Sequence, residues 1–408
     1  MVRVTLAGTT PSSKLGVGDP GYARVAVAMF CAAATTFALL YVPQPLLPLL
    51  SAHFRLSPGQ AALALSAATL SLGLCLVPAG ALSDRYGRRR IMLTSLVVST
   101  LLGLACALAP NWPWLLGLRL AEGIALAGLP AVAMAYLREE IDPRSHARAT
   151  GLYIGGTALG GLAGRIVSAL LAEVGGWRLA FFGIALLAGC CVVVAATLLP
   201  ASTHFTRTAQ NSAGTTRRAL QGKLPLLYCV GGLSMGAFVG VHNAMAFRLS
   251  AAPYFLTPGW LAAVFCVYVV GIVASPVAGR CADRLGRPVV TLVGLAGMGL
   301  GAALTLTHSL WAIVTGLALF TGAFFAAHAV ASGWVTARAQ RIGAPVGTAA
   351  GLYLLGYYLG SSVFGVTAGD IWSRFGWAGV VTMAVTTSAL AALMAMRASV
   401  VPSRPSPE

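Results

Sequence analysis

Only three Arg, Lys, Asp or Glu residues lie deep inside the long apolar runs of this chain: Arg119, Glu122 and Arg165. Charges at such positions must face a bundle interior or a water-filled cavity, because exposure to hydrocarbon costs several kcal/mol. Arg119 and Glu122 are i, i+3 neighbours on one helical face, about 4.5 Å apart along the axis. A buried carboxylate held between guanidiniums is suited to take up and release a proton, so Glu122 is the candidate proton-coupling group. A permanent ion pair with Arg119 is the competing reading. Arg165 is expected to reach the same cavity level, and two guanidiniums against one carboxylate leave it at net +1, which suits an anionic metabolite.

Softer candidates surround them. Gln44, between Pro43 and Pro45, offers an amide where two prolines interrupt a helix. His242, Asn243 and His328 can titrate or bind a solute, although a lone histidine in an apolar run is more often a packing residue. Tyr153, Tyr353, Tyr357, Tyr358 and Trp334 can form a cavity wall for flat or amphipathic ligands, or simply fill the core. Gly151, Gly156, Gly160, Gly161 and Gly164 put small residues near one stripe, which allows close packing across a moving interface or, equally, within a static one.

Catalytic sets are missing from the sequence. It contains no Gly-x-Ser-x-Gly elbow, no His-Glu-x-x-His zinc site and no Gly-x-x-x-x-Gly-Lys-Ser/Thr phosphate loop, so it is not expected to be an enzyme or to be driven by ATP. The eight cysteines show no Cys-x-x-Cys spacing, and neither a metal nor a cofactor is expected. A net charge of +17 raises the question of nucleic acid, but the basic residues sit in short loops between apolar runs instead of clustering with aromatics, which argues against it.

The elements that must position these residues follow from composition. Of 408 residues, 58% are hydrophobic and only 9% charged, against about 25% charged in a soluble domain. Runs of about 20 apolar residues, each able to cross about 30 Å of hydrocarbon, recur along the chain. The expected spans are 23–50, 60–81, 91–110, 112–137, 149–172, 177–200, 224–249, 257–278, 289–307, 310–336, 346–369 and 376–397. The fold class is therefore an all-α polytopic membrane protein of twelve transmembrane helices in two six-helix bundles, 23–200 and 224–397. A tail 1–22, a polar linker 201–223 and a tail 398–408 complete the chain. With the N-terminus inside, 21 of the 27 Lys and Arg residues fall on one side, four on the other and two within spans. Both termini are then cytoplasmic.

The halves repeat. Gly151-Leu152-Tyr153, Gly156, Leu159-Gly160 and Gly176-Trp177 return 200 residues later as Gly351-Leu352-Tyr353, Gly356, Leu359-Gly360 and Gly376-Trp377. A charged loop also recurs: Gly80-Ala-Leu-Ser-Asp84-Arg85-Tyr-Gly87-Arg88-Arg89-Arg90 has a weaker copy in Gly279-Arg-Cys-Ala-Asp283-Arg284-Leu-Gly286-Arg287. An even number of spans per half makes the copies parallel, as in transporters whose site lies between halves. Arg119, Glu122 and Arg165 break the repeat, with Ala318, Thr321 and Gly365 at the corresponding positions of the second half, and this asymmetry favours a functional role for them.

The first loop resembles the motif between spans 2 and 3 of the major facilitator superfamily, roughly G-x-L-a-D-r-x-G-r-[RK]-[RK]. Within it, Arg119-Leu-Ala-Glu122-Gly123 is similar to the R-x-x-q-G element of proton-driven exporters, and the glycine-rich run to Arg165 resembles that of bacterial drug and sugar exporters. Gly156-Thr157-Ala-Leu-Gly160-Gly161 departs from the exporter pattern G-P-x-x-G-G by Thr157. The resemblance implies a single-chain transporter of the bacterial inner membrane, working as a monomer by alternating access and exporting a small organic solute against protons. Proton symport or facilitated import of a small anionic metabolite is the alternative. It also implies a cytoplasmic latch in which Asp84, with Arg88, meets the start of span 11 near Val346, with a weaker second copy.

Overall fold

A computed structural model describes residues 14–202 and 217–400. Residues 1–13 and 401–408 of the expected tails and 203–216 of the expected linker lie outside them, and so do Arg3, Arg207 and Arg404. Among the described residues the chain is all-helical, apart from an isolated bridge between Leu15 and Ile141. Ten helical segments among the described residues are long and apolar enough to cross a membrane.

Helix α1 (Pro20–Tyr41) ends where Pro43 and Pro45 remove two N–H donors. A single 3-10 turn, Gln44–Leu46, and α2 (Leu47–Phe54) continue it. The interruption expected around Gln44 is present, and it turns that amide inward, fully buried. Helix α3 (Pro58–Tyr86) starts on a capping box in which Ser57 and Gln60 satisfy each other's backbone N–H. Helices α4 (Arg88–Ala107), α5 (Trp112–Leu126) and α6 (Gly128–Glu140) follow, the last two forming one span with a break near Ala127.

Helix α7 (His146–Leu198) runs 53 residues. At 1.5 Å per residue that is roughly 80 Å, far more than a hydrocarbon layer. It is broken by Gly175 and by Gly176 at φ 70°, a conformation that favours glycine. The second half contains α8 (Leu224–Ser250), α9 (Pro258–Phe265), α10 (Tyr268–Leu285), α11 (Arg287–Leu304) and α12 (Leu310–Arg341). Its last helix, α13 (Val346–Ser399), is 54 residues long and breaks at Gly376, φ 62°. The two breaks are repeat-related, so the repeat is expressed in backbone conformation as well as in residue type.

Close helix pairs are built on small residues. A Cβ added at Gly156 or Gly160 would lie 2.5 Å from Phe30 O or 2.3 Å from Ala34 O, so α7 and α1 touch backbone to backbone. Gly232 and Gly360 do the same for α8 and α13. Gly156, Gly160 and Gly164 of the stripe therefore pack α7 against α1 within the first half, whereas Gly151 has nothing within 4 Å of an added Cβ.

The halves meet along α3 and α13. At one end, a Cβ on Gly59 would lie 2.0 Å from Asp370 Oδ1, and one on Gly369 would lie 2.5 Å from Gly59 N. Close approach persists to Gly73 and Tyr358, whereas Gly80, Gly347 and Gly351 have nothing within 4 Å of an added Cβ. The Gly259 N–H donates to Glu173 Oε2 across 2.9 Å, a second tie between halves at the Pro58 end. The two halves are thus in contact at the Pro58 end and diverge toward the end bearing Arg88.

Candidate functional site

Two buried polar clusters meet the C-terminal end of α1. The first is Arg119 with Glu122, both fully buried, joined at 2.5 Å. Arg119 also donates from Nε to Ala64 O (2.8 Å), from Nη1 to Leu39 O (3.1 Å) and from Nη2 to Leu40 O (2.8 Å). Leu39 O would ordinarily accept from the N–H of residue 43, which Pro43 lacks, so the guanidinium satisfies a carbonyl that the proline orphaned. Arg119 therefore pins α1, α3 and α5 together. On Glu122, Oε2 carries the ion pair and accepts a weak contact from Cys106 Sγ at 3.7 Å, while buried Oε1 has no hydrogen-bond partner.

The second cluster joins the halves. Arg165 donates from Nε to Gln44 Oε1 at 2.6 Å and from Nη1 to Gly161 O at 2.6 Å. Gln44 Nε2 donates to Asn243 Oδ1 at 2.9 Å, and Asn243 Nδ2 reaches Gly365 O at 3.4 Å. The guanidinium carbon of Arg165 lies 3.8 Å from the Tyr41 ring centroid and 4.1 Å from that of Tyr268, on opposite halves. Planar, weakly hydrated guanidinium is well suited to such ring faces. His242 lies alongside, with Nδ1 2.8 Å from Phe238 O, Nε2 3.4 Å from Thr321 Oγ1 and its ring 4.9 Å from Tyr268.

Arg165 meets α1 at the level expected for it, beside that of Arg119, but makes no contact with Glu122. Arg119 takes the carbonyls of Leu39 and Leu40, whereas Arg165 stacks on the next side chain, Tyr41, so the two arginines have separate partners on neighbouring residues. Tyr353 and Tyr357 gather around His328, whose Nδ1 is 2.9 Å from Tyr353 Oη and whose ring is 4.7 Å from that of Tyr357. Tyr153 sits apart, in a first-half core with Met29, Val132 and Tyr136. Tyr41 and Tyr268 were not among the expected site residues. A tyrosine in an apolar run carries no signal of which neighbour it will face.

The two charged loops differ in their partners. Gly87 and Gly286 share one backbone conformation, φ 93° ψ 148° and φ 86° ψ 147°, which breaks one helix and starts the next. In the first copy Arg88 is buried, pairs with Asp84 at 2.5 Å and Glu139 at 3.0 Å, and donates to Ser83 Oγ. Arg89 donates to the carbonyls of Leu199 and Ala196 at the end of α7, while Arg85 lies over Tyr86. In the second copy Asp283, Arg284 and Arg287 are exposed, with no ion pair among the described residues. No hydrogen bond joins Asp84 to Val346 among the described residues; its carboxylate is engaged within the loop. Gly80 and Gly279 both border open space.

A family model described as Major Facilitator Superfamily matches residues 27–256. The chain is 40% identical over 381 residues to the uncharacterized MFS-type transporter YybF of Bacillus subtilis (strain 168), covering 92% of this chain and 93% of that one. It is 37% identical over 374 residues to the inner membrane transport protein YnfM of Escherichia coli (strain K12), covering 91% and 89%. Its fold is similar to that of a bacterial homolog of the human lysosomal transporter Spinster in an inward-facing, occupied conformation, with a TM-score of 0.75, 16% identity and 94% and 97% coverage. The chain therefore belongs to the Major Facilitator Superfamily: it is a multi-pass membrane transporter for a small molecule, and not an enzyme.

Proposed function

We propose that this chain is a secondary transporter in which two six-helix halves, 23–200 and 224–397, rock about the Gln44–Asn243 layer and export a small organic solute in exchange for protons. The breaks at Gly175–Gly176 in α7 and at Gly376 in α13 support counting each of these helices as two spans, which brings the ten apolar segments to the proposed twelve. The observation that carries the reading is the unequal closure of the two ends: Gly59 and Gly369 in contact, Gly80 and Gly351 free. A rocking motion about a central layer exchanges which end is closed, and that is alternating access. The excess of Arg and Lys at the Arg88 end marks it as cytoplasmic, with both termini on that side of a bacterial inner membrane. The conformation is then inward-open. One chain suffices, because both halves of the layer belong to it.

Glu122 is the proposed proton site: Oε2 holds Arg119, and Oε1 is left without a partner. Protonation would cancel the charge that opposes Arg119 and loosen the junction of α1, α3 and α5. The permanent ion pair is favoured instead by the three carbonyls that Arg119 also holds. Breaking such a pair by removing one partner costs about 3–5 kcal/mol, so a scaffold role explains its burial as well.

Solute flux in sealed vesicles under an imposed pH gradient tests the whole reading. Uphill movement opposite to protons supports export. Movement with protons supports the import alternative, and flux indifferent to the gradient rejects proton coupling.

A further inference from the structure

Arg119 and Arg165 differ in what balances their charge. Arg119 is neutralised by Glu122, whereas no carboxylate lies within ion-pair distance of Arg165 among the described residues. Arg165 is only 2% exposed. Its neighbours are an amide oxygen, a backbone carbonyl and two ring faces, all of them neutral. Such partners offset only part of the desolvation of a guanidinium, and a buried cation of this kind is stabilised most by an anion that brings its own acceptor oxygens.

A second observation points to the same missing partner. The Tyr268 hydroxyl is buried and has no hydrogen-bond partner, although buried hydroxyls are nearly always satisfied. Its ring is one of the two that sandwich Arg165. A cation and an idle O–H donor on adjacent side chains form a recognition set for a carboxylate, which accepts from both.

We propose that Arg165 and the Tyr268 hydroxyl bind the carboxylate of a small organic monocarboxylate, the transported solute. This rests on the transport reading above and names the substrate class of its central layer. One uncompensated positive charge accommodates one negative charge: the repeat position of Arg165 is Gly365, which supplies no second cation. An added Cβ there would already lie 3.1 Å from Ser66 Oγ and 3.2 Å from Asn243 Nδ2. Gln44 now occupies the Nε edge of Arg165 and holds Asn243 through its other end. A carboxylate that takes that edge displaces Gln44 Oε1, and the bond between halves is weakened with it. Solute arrival thereby acts on the element that links the halves, which gives the solute different affinities for the two conformations.

The test is ligand binding to the purified full chain in lipid nanodiscs by calorimetry, with benzoate and hexanoate as probes against their primary amides and the corresponding amines. The carboxylates should bind at least about tenfold more tightly than the amides and amines. Arg165→Gln should abolish the preference. Tyr268→Phe, which keeps the ring and removes only the idle hydroxyl, should weaken carboxylate binding severalfold. Failure of both carboxylates to bind, equal binding of carboxylates and amides, or a preference that survives Arg165→Gln in a protein with unchanged circular dichroism, would each overturn the assignment. Vesicle flux separates the two levels. Carboxylate binding through Arg165 without gradient-driven flux leaves the site and removes the transport mode, whereas coupled flux without carboxylate selectivity does the reverse.

Discussion

Gln44 Nε2 donates to Asn243 Oδ1 across 2.9 Å, and the two residues are 199 positions apart. The bond therefore ties the 3-10 turn after α1 to α8, one in each half of the chain. Only the first half carries the arginine that extends this pair. The layer is polar on both sides and charged on one.

Removing the link should loosen the whole layer. Gln44→Leu deprives Asn243 of its donor and Arg165 of its acceptor, leaving buried polar groups unpaired, which costs about 1–3 kcal/mol for each. Thermal unfolding in detergent should show a clear drop in midpoint, larger than for Asn243→Leu, which leaves the Arg165–Gln44 bond intact. An unchanged midpoint for both would mean that the bond contributes little to closure.

Closure at the Pro58 end depends on the absence of side chains at Gly59 and Gly369. Any Cβ at Gly59 would strike the Asp370 carboxylate, and one at Gly369 would strike the Pro58–Gly59 backbone. Gly369→Val, which meets backbone that cannot swing aside as the Asp370 carboxylate can, should hold this end apart and shift the population toward the opposite conformation. Distances between spin labels placed across that end should lengthen relative to the parent chain. Identical distance distributions would show that α3 and α13 can close without this contact.

The charged loops should respond unequally. Gly87→Ala and Gly286→Ala impose the same backbone penalty, about 1–3 kcal/mol, because both positions sit at a φ that side chains rarely adopt. Arg88→Ala should add a further loss by releasing Asp84 and Glu139, whereas Arg287→Ala, at an exposed position, should fall within about 0.5 kcal/mol of the parent. Unfolding midpoints of the four variants provide the comparison, and equal losses at Arg88 and Arg287 would contradict the asymmetry.

Glu122→Gln separates chemistry from scaffold. The amide can still accept from Arg119 but cannot exchange a proton, so a coupling role predicts solute binding without solute-driven proton movement. A scaffold role predicts reduced stability with coupling intact. Pyranine fluorescence inside vesicles reads the proton flux directly, and unchanged coupling would remove Glu122 from the mechanism.

The apolar runs, the repeat and the inward-facing fate of Arg119, Glu122 and Arg165 are determined by sequence alone, because hydropathy fixes depth and a charge in hydrocarbon has nowhere else to go. Helix bounds follow to within about seven residues, without the breaks near Ala127 and at Cys266–Val267, while the interruption at Gln44 and the glycines of the loops are legible because proline and glycine act on their own backbone. Sequence does not report the direction in which a residue faces around its helix. That is set by how α7 rolls onto α1 through Gly156 and Gly160, and α13 onto α8 through Gly360, contacts made between residues more than a hundred positions apart. The roll places Arg165 against Gln44, Tyr41 and Tyr268 instead of Glu122, and it leaves one guanidinium paired and the other open. Charge and depth were local properties of the chain; partnership was decided only by the packing of helices that backbone-to-backbone contact allows.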